Sequence, residues 1–447
     1  MNWEVFSLNN KKLIFSSLFI FLLLIVTALF CTVFGNDEIW NYGFVISIYR
    51  GLVPYRDFNM VITPFFPFIM SLPFHVFGCN ELILQVTTCL FLTLLFVFLD
   101  KIIGDKKYVV LLFLIFPLSL VFPSYNMLSF IIFVVILYCE NEKKNDYLIG
   151  LLLGLLFLTK QSVGFCVMMI GIFFNFRDLK KMGKRFLGFI FPIMITSLYL
   201  IFNNAFSDFI DLCFMGLIDF GDENLSLPFI MTLIFILLII NALYYIRKNP
   251  KSIFNYYILA FYSIMVPLID IYHVQVAFLA CIILNFYNLN IDKKYDRYLC
   301  MFSITSFIGV ALSVFVNAYP YTYPCDINHF EYRLIPDKNI NMTKKVNDYI
   351  LNHSDREIYL LGADAYYFKI IQDKDINKLD LVNDGNWGYN GGKKIVNEIK
   401  KHDDALFIIY DVDFNKKSQI NKDALYYVKN NFNKIDTVGV YDVYSKK

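Results

Sequence analysis

The sequence predicts a polytopic α-helical membrane protein with about eleven transmembrane helices and a C-terminal extracytoplasmic α/β domain. Of the 447 residues, 57% are hydrophobic and 17% are charged, whereas soluble domains average roughly 45–50% apolar and about 25% charged residues. So many apolar residues do not fit inside soluble domains, and most of the chain is therefore expected in a membrane. The formal net charge of +2 gives no sign of a nucleic-acid partner.

The distribution of charge marks the boundary between the two parts. Residues 317–447 hold 38 of the 78 Lys, Arg, Asp and Glu residues. We predict a transmembrane domain over residues 1–316 and a soluble domain over residues 317–447, divided at the stretch NAYPYTYP. The nine cysteines include no C-x-x-C pair, so neither a zinc site nor a disulfide framework is predicted.

Apolar runs near the length of about 20 residues that crosses a bilayer define the transmembrane helices. The segment 64–78 is also apolar, but its three prolines and short length favour an interfacial or re-entrant piece. The eleven predicted helices cover residues 13–34, 82–99, 108–122, 127–139, 147–158, 163–176, 186–202, 228–246, 252–268, 274–290 and 298–316.

Basic residues predict the orientation. With a cytoplasmic N-terminus, 18 of the 21 Lys and Arg residues before position 317 fall in cytoplasmic loops, as the positive-inside rule requires. An odd number of helices then places residues 317–447 outside the cytoplasm, together with the first loop, residues 35–81. The remaining cations, Arg50, Arg56 and Lys160, lie on this outer face.

The first loop carries the strongest functional signal. Asp37 and Glu38 directly follow the first helix, in a stretch rich in aromatic residues. A partly desolvated carboxylate is more basic, which suits proton abstraction; the alternative is that both acids merely end the helix in water. The loop continues with Tyr42, R-G-L-V-P-Y-R-D-F (Arg50–Phe58), a proline pair (Pro64 and Pro67) and F-G-C-N-E (Phe77–Glu81).

This pattern resembles the first extracytoplasmic loop of the GT-C superfamily of integral membrane glycosyltransferases. It is closest to the group that contains protein O-mannosyltransferases and bacterial aminoarabinose transferases. The resemblance implies a plasma-membrane transferase of the cell envelope with a polyprenyl-phosphate sugar as donor. The implied acceptor is an extracytoplasmic hydroxyl on a glycolipid, an envelope polymer or a protein.

The resemblance also implies roles for individual residues. Asp37 is similar in place to the base that deprotonates the acceptor, and Glu38 to a second acid. That acid orients the base, binds the acceptor or helps to hold the divalent cation that some members use. Aminoarabinose-type enzymes often carry a lysine where this chain has Thr63, so the contact to the donor phosphate is left open. Because the phosphate is already a good leaving group, one base and one positive clamp suffice.

The outward cations are the candidates for this clamp. Lys160 lies in L-T-K-Q-S, which is similar to a turn common in the superfamily, and charge at a membrane edge is costly and commonly functional. Alternatively, Lys160 only snorkels, so that its ammonium group reaches the membrane interface. Arg50 and Arg56, with Tyr55 between them, are also assigned to substrate binding because arginine binds phosphate bidentately. Alternatively, Arg50 and Arg56 contact lipid headgroups.

Three further features are candidates on the outer face. Tyr272-His273 is similar to a Tyr-His pair of relatives, so His273 is assigned to donor or acceptor binding, with a simply hydrogen-bonded histidine as the alternative. Asp270 is its weaker companion. The loop 203–227 carries five acids and no Lys or Arg, and it is either a lid or a solvated loop.

The C-terminal domain is predicted to be a small α/β sandwich with a partly parallel sheet. Its Gly-rich segment, Gly385–Lys394, lacks the P-loop pattern and reads as a turn-rich loop whose Trp387 and Tyr389 are candidates to stack on a sugar ring. The predicted strands are Glu357–Leu361, Leu406–Asp411 and Thr437–Tyr444, and the predicted helices include Thr343–Asn352 and Gly392–Lys401.

The main competing interpretation is a transporter, flippase or polymerase of lipid-linked sugars. A transporter is expected to show inverted repeats and charges within its spans, but the ionisable residues here cluster at the outer edge. We therefore interpret the chain as a polyprenyl-phosphate-sugar-dependent hexosyl or pentosyl transferase. The sugar, the acceptor, the stereochemistry and the metal requirement stay open.

Overall fold

The computed structural model describes most of the chain, and helices dominate it. The described residues are 3–30, 36–104, 123–174, 176–224, 228–266, 269–289, 322–324, 327–362, 364–383, 385–410 and 420–446, with isolated residues between 294 and 308. The helices up to residue 288 are α1 (Trp3–Phe30), α2 (Asn36–Tyr49), α3 (Phe65–Ser71), α4 (Phe74–Phe77), α5 (Glu81–Ile103), α6 (Tyr125–Asn141), α7 (Asp146–Phe157), α8 (Gln161–Phe173), α9 (Leu179–Phe202), α10 (Phe206–Ile210), α11 (Leu217–Asn224), α12 (Phe229–Lys248), α13 (Ile253–Phe261) and α14 (Ile271–Asn288).

Five of the described helices are long and apolar enough to cross a membrane, and they lie in α1, α5, α9, α12 and α14. Helices α6, α7 and α8, and α13 with the 3₁₀ turn that follows it, are shorter apolar helices. The chain is thus an integral membrane protein, and the polytopic helical fold predicted from the apolar runs is confirmed.

Nine of the eleven predicted spans fall on these helices. The span 108–122 lies outside the described residues, and the span 298–316 lies almost wholly outside them, so the predicted number of eleven stays a prediction. The apolar segment 64–78 forms the two short helices α3 and α4, separated at Pro73. Neither is long enough to span a bilayer.

A buried ion cluster ties the helices together at the end opposite the first loop. The Arg185 guanidinium of α9 contacts Glu140 at the end of α6 (2.6 Å) and Asp146 at the start of α7 (2.9 Å). Tyr257 of α13 donates a hydrogen bond to the same Glu140 (2.7 Å). Because each charge has a partner, the cost of burying these groups is offset, and the four helices are held together at this end of the bundle.

The C-terminal residues form a small sheet covered by helices. The elements are the short pair β1 (Thr322–Pro324) and β2 (Leu334–Pro336), then α15 (Asp337–Asn352), β3 (Ile358–Leu361), α16 (Ala365–Ile371), α17 (Gly391–Ile399), β4 (Leu406–Tyr410), α18 (Lys422–Asn431), β5 (Phe432–Val438) and β6 (Tyr441–Lys446). Strand β3 pairs with β4 in parallel, and β4, β6 and β5 pair antiparallel in that order, which confirms the partly parallel sheet.

One predicted strand, Thr437–Tyr444, is wrong. The chain reverses within it, so that Val438 pairs with Tyr441 across a two-residue turn formed by Gly439 and Val440. Gly439 has φ +65°, a conformation that favours glycine and that suits the tight turns of β-hairpins. The apolar residues on either side of Gly439 made two strands look like one.

The C-terminal residues pack directly on the first loop. Tyr366 of α16 lies against Gly43 of α2, where any larger side chain would overlap its ring. Ile376 and Phe330 belong to the same hydrophobic core as the membrane helices. The first loop and the described C-terminal part therefore lie on one side of the helix bundle. The division at residue 316 stays a prediction.

Candidate active site

The starts of four helices meet on the face that carries the first loop. The side chains of Ser124 and Asp270 cap α6 and α14 by accepting hydrogen bonds from backbone N–H groups. Lys160 directly precedes α8, and Asp37 lies in the first turn of α2. Because a helix N-terminus carries partial positive charge, several of them at one place favour the binding of an anion.

A chain of hydrogen bonds joins three of these helix starts. The ammonium group of Lys160 donates to the Asn126 side-chain oxygen (2.7 Å). The Asn126 amide nitrogen lies 3.4 Å from Nε2 of His273, whose Nδ1 lies 2.8 Å from the Asp270 carboxylate. Lys160 and His273 are both buried, at 8% and 7% exposure, so their positions are fixed by protein contacts rather than by solvent.

Asp37 lies near enough to this chain of hydrogen bonds to interact electrostatically with Asp270 and Lys160. The pKa of its carboxyl is raised to about 6, first because the surrounding protein removes its hydration and then because of the negative charge of Asp270, while the charge of Lys160 acts in the opposite direction. Its side chain nevertheless remains exposed, so the loss of hydration comes from enclosing walls and not from complete burial. A group that is both open and poorly hydrated is suited to exchange a proton with a bound molecule.

The first loop holds the turn that carries Lys160. Thr63 donates a hydrogen bond to the carbonyl of Phe157 (2.9 Å), and the amide of Phe65 donates to the carbonyl of Leu158 (2.8 Å). Gly164 allows α8 to fold back on α7, because a side chain there would overlap the backbone of Phe157. Thr63 therefore caps the end of α7.

Glu38, the second predicted catalytic acid, points away from this cluster. Its side chain is 1% exposed, and it forms an ion pair with Arg333 (2.9 Å) and accepts a hydrogen bond from Gln85 (2.8 Å). Arg333 also pairs with Glu81 at the start of α5 (2.9 Å). This closed group, Glu38 with Glu81, Gln85 and Arg333, joins the first loop, α5 and the C-terminal part.

The structure gives the other first-loop candidates contacts away from Asp37. Arg50 pairs with Asp373 of the C-terminal part (2.8 Å). Arg56 pairs with its neighbour Asp57 (2.8 Å). Tyr55 is fully buried and donates its hydroxyl to the carbonyl of Ile62 (2.8 Å), which closes the loop on itself. The substrate-binding roles of these three residues stay predictions.

The sequence interpretation missed Asn126 and Arg333. Asn126 is uncharged, and the one available signal was its place two residues after Ser124, where a capping serine predicts a helix start at the outer face. Arg333 lies in a polar stretch where a single arginine does not stand out. Its importance depends on two carboxylates that are distant in the chain.

The described part of the acidic loop, residues 203–224, contacts the Gly-rich segment. Asp211 accepts a hydrogen bond from the backbone N–H of Tyr389 (3.2 Å) and contacts the ammonium of Lys394. Asp219 accepts one from the backbone N–H of Asn390 (2.7 Å). Trp387 is 7% exposed and donates its indole N–H to a backbone carbonyl, so it belongs to the core and does not present an open face for sugar stacking.

The metal requirement stays open. Among the residues that the structure describes, no group of three or more His, Cys, Asp and Glu side chains is placed to hold a metal ion. The divalent cation that the resemblance implies for some members therefore finds no complete set of such ligands among the described residues.

Comparison with known proteins identifies the fold. No family model matches the chain, and no curated protein matches it in sequence. It is similar to the crystal structure of ArnT from Cupriavidus metallidurans bound to undecaprenyl phosphate, with 10% identity, a TM-score of 0.55 and coverage of 97% of each chain. The apo state of that protein gives 11% identity, a TM-score of 0.51 and coverage of 98% of each chain. ArnT belongs to the GT-C group, so the GT-C-like fold predicted from the first loop is confirmed.

Proposed function

We propose that this chain is a glycosyltransferase that moves a sugar from a polyprenyl-phosphate donor to an acceptor hydroxyl on the extracytoplasmic face. The observation that carries the proposal is the position of Asp37, open and poorly hydrated, opposite the hydrogen-bonded Lys160, Asn126, His273 and Asp270. The fold likeness to a protein crystallised with undecaprenyl phosphate supports the class of donor. The acceptor is a glycolipid, an envelope polymer or a protein.

Asp37 acts as the general base. Its pKa of about 6 leaves it ionised at neutral pH and still basic enough to accept a proton in the transition state. The acceptor oxygen attacks the anomeric carbon of the donor sugar, its proton passes to Asp37, and the bond from that carbon to the phosphate oxygen breaks. The polyprenyl phosphate that leaves carries one more negative charge than it did in the donor.

Lys160 and the helix starts stabilise this new charge. The ammonium group stands where α6, α8 and α14 begin, and positive charge held in place at such a position lowers the barrier without rearrangement. Asn126 and His273 fix its position by hydrogen bonds. Glu38 supports the site indirectly, because its ion pair with Arg333 holds the start of α2.

The experiment compares the wild type with Asp37→Asn, reconstituted in lipid vesicles with a radiolabelled polyprenyl-phosphate sugar and envelope material as acceptor. Loss of a general base is expected to lower transfer roughly 10²–10⁴-fold. The melting temperature is expected to stay equal or to rise, because the substitution removes a charge that the folded protein disfavours. Asp404→Asn, which removes an exposed carboxylate far along the chain, is the matched control.

Unchanged transfer in Asp37→Asn would show that another group is the base. If the wild type transfers no sugar from any of several donors, the movement of the labelled donor across the bilayer is measured in the same vesicles. Such movement without transfer would replace the transferase by the flippase interpretation.

A further inference from the structure

Two sequence features that the reaction does not use meet at one cavity. The acidic loop supplies Asp219, the Gly-rich segment and the residue near its start supply Trp387, Lys393 and Asn383, and the first turn of α18 supplies Asp423. The cavity has a volume of about 280 Å³, close to the lower end of the range for small-molecule sites. It is therefore large enough for one small ligand group rather than an extended chain.

Contacts within the protein hold several of the residues at the walls of this cavity. Asp219 accepts a hydrogen bond from the backbone N–H of Asn390. Asp211, eight residues earlier in the same loop, is held by Tyr389 and Lys394. On the opposite wall, the Asp423 carboxylate lies against Gly392, where a Cβ atom would overlap it. The Asp219 carboxylate is thus held by a hydrogen bond, and the Asp423 carboxylate faces the cavity from a different part of the chain.

The chemistry of the lining selects the ligand. Carboxylates accept hydrogen bonds, side-chain amides both donate and accept, and a lysine donates, so the lining matches a ligand that carries several hydroxyl groups. Asp219 and Asp423 outnumber the single cation Lys393, which disfavours a phosphate or a uronic acid. Trp387 also borders the cavity, but it is buried and donates its indole N–H to the carbonyl of Leu381. Recognition is therefore assigned to the polar side chains and not to ring stacking.

We propose that this cavity binds a neutral sugar residue of the acceptor, so that the acceptor of the reaction is a glycan. The proposal rests on the proposed transferase function and makes its acceptor more specific. The cavity is coupled to the active site by the π-helical segment Asp211–Met215. Its Asp211 holds the Gly-rich segment, and the carbonyl of its Cys213 accepts a hydrogen bond from Gln161 (3.1 Å), the residue next to Lys160.

The test measures sugar binding to the full-length protein by the fluorescence of Trp387. The chain has three tryptophans, so Trp3→Phe with Trp40→Phe leaves Trp387 as the reporter. The probes are the methyl glycosides of glucose, galactose, mannose and N-acetylglucosamine, with glucose 6-phosphate and glucuronate as anionic counterparts. We expect at least one neutral probe to bind with a dissociation constant of about 1 mM, and the anionic probes to bind at least about tenfold more weakly.

Variants on the cavity wall check the site. Asp423→Ala and Gly392→Ala, whose new Cβ overlaps the Asp423 carboxylate, are each expected to weaken the neutral probe about tenfold or more at unchanged melting temperature. Asp404→Ala removes an exposed carboxylate outside the cavity and is expected to leave binding unchanged. Two different wall variants guard against the misfolding of either one.

The outcomes separate this inference from the transferase function. No response to any neutral probe, or a response to calcium alone, overturns the glycan cavity, whereas transfer activity in the same protein still supports the transferase. Equal loss of binding in Asp404→Ala also overturns it, because the effect would not belong to the cavity. Sugar binding in a protein that transfers nothing supports the cavity and overturns the transferase.

Discussion

Asp37 and Glu38 are neighbours in the sequence, but they lie in opposite surroundings. The Asp37 side chain is exposed and faces Lys160 and Asp270, while the Glu38 side chain is buried and bound to Arg333. Successive residues of an α-helix point about 100° apart, so the first turn of α2 directs one carboxylate to the site and the next into the protein. The Asp37 carboxylate is therefore accessible to a bound molecule, while the Glu38 carboxylate joins the start of α2 to Arg333.

The surroundings of Glu38 are tested by removal of Arg333, which has the largest expected effect on stability. Arg333→Ala leaves Glu38 and Glu81 as two buried carboxylates without their cation, which is expected to cost about 3–5 kcal/mol of unfolding free energy. Thermal unfolding in detergent measures it. Glu38→Gln is expected to cost less, because Arg333 keeps its pair with Glu81.

The same pair of variants can break the comparison. Folded Glu38→Gln protein is expected to transfer sugar at a rate within a few-fold of the wild type, since the substitution removes no group that faces the substrate. A loss as large as that of Asp37→Asn, at an unchanged melting temperature, would return Glu38 to the catalytic role that its position beside Asp37 predicts.

The contrast also shows how much the sequence can predict. The positions of Asp37, Lys160 and His273 were predicted, because a charged or titratable residue at the end of an apolar run is conspicuous. Their meeting could not be predicted, because residues 37, 126, 160 and 273 come together only when α2, α6, α8 and α14 pack. The closed group was missed for the same reason: Arg333 becomes important only beside Glu38 and Glu81.

The pH dependence of transfer tests the surroundings of Asp37. Because Asp37 must be ionised to act as a base, kcat/KM is expected to fall as the pH drops through about 6. Asp270→Asn removes a charge that raises the pKa of Asp37, so the fall is expected at lower pH. Lys160→Met removes a charge that lowers this pKa, so the fall is expected at higher pH. Each shift is expected to be up to about one pH unit.

This prediction is specific because the two variants are expected to shift the midpoint of the pH profile in opposite directions. A general loss of structure in either variant would lower the rate without moving the midpoint in opposite directions. If both midpoints move the same way, or if the wild type shows no fall near pH 6, Asp37 does not interact with Asp270 and Lys160 as the structure implies.

The smallest effect is expected at a second contact between the first loop and the C-terminal part. Arg50 pairs with Asp373 (2.8 Å), but the Asp373 side chain is 61% exposed, and exposed pairs contribute about 0–1 kcal/mol. Arg50→Gln is therefore expected to lower the unfolding free energy by less than about 1 kcal/mol, and 1 M salt is expected to abolish that difference by screening. The cost of Arg333→Ala should persist in salt, since its partners are buried. A large loss of transfer in Arg50→Gln without a loss of stability would instead favour the predicted substrate contact, because the ion pair with Asp373 alone does not account for it.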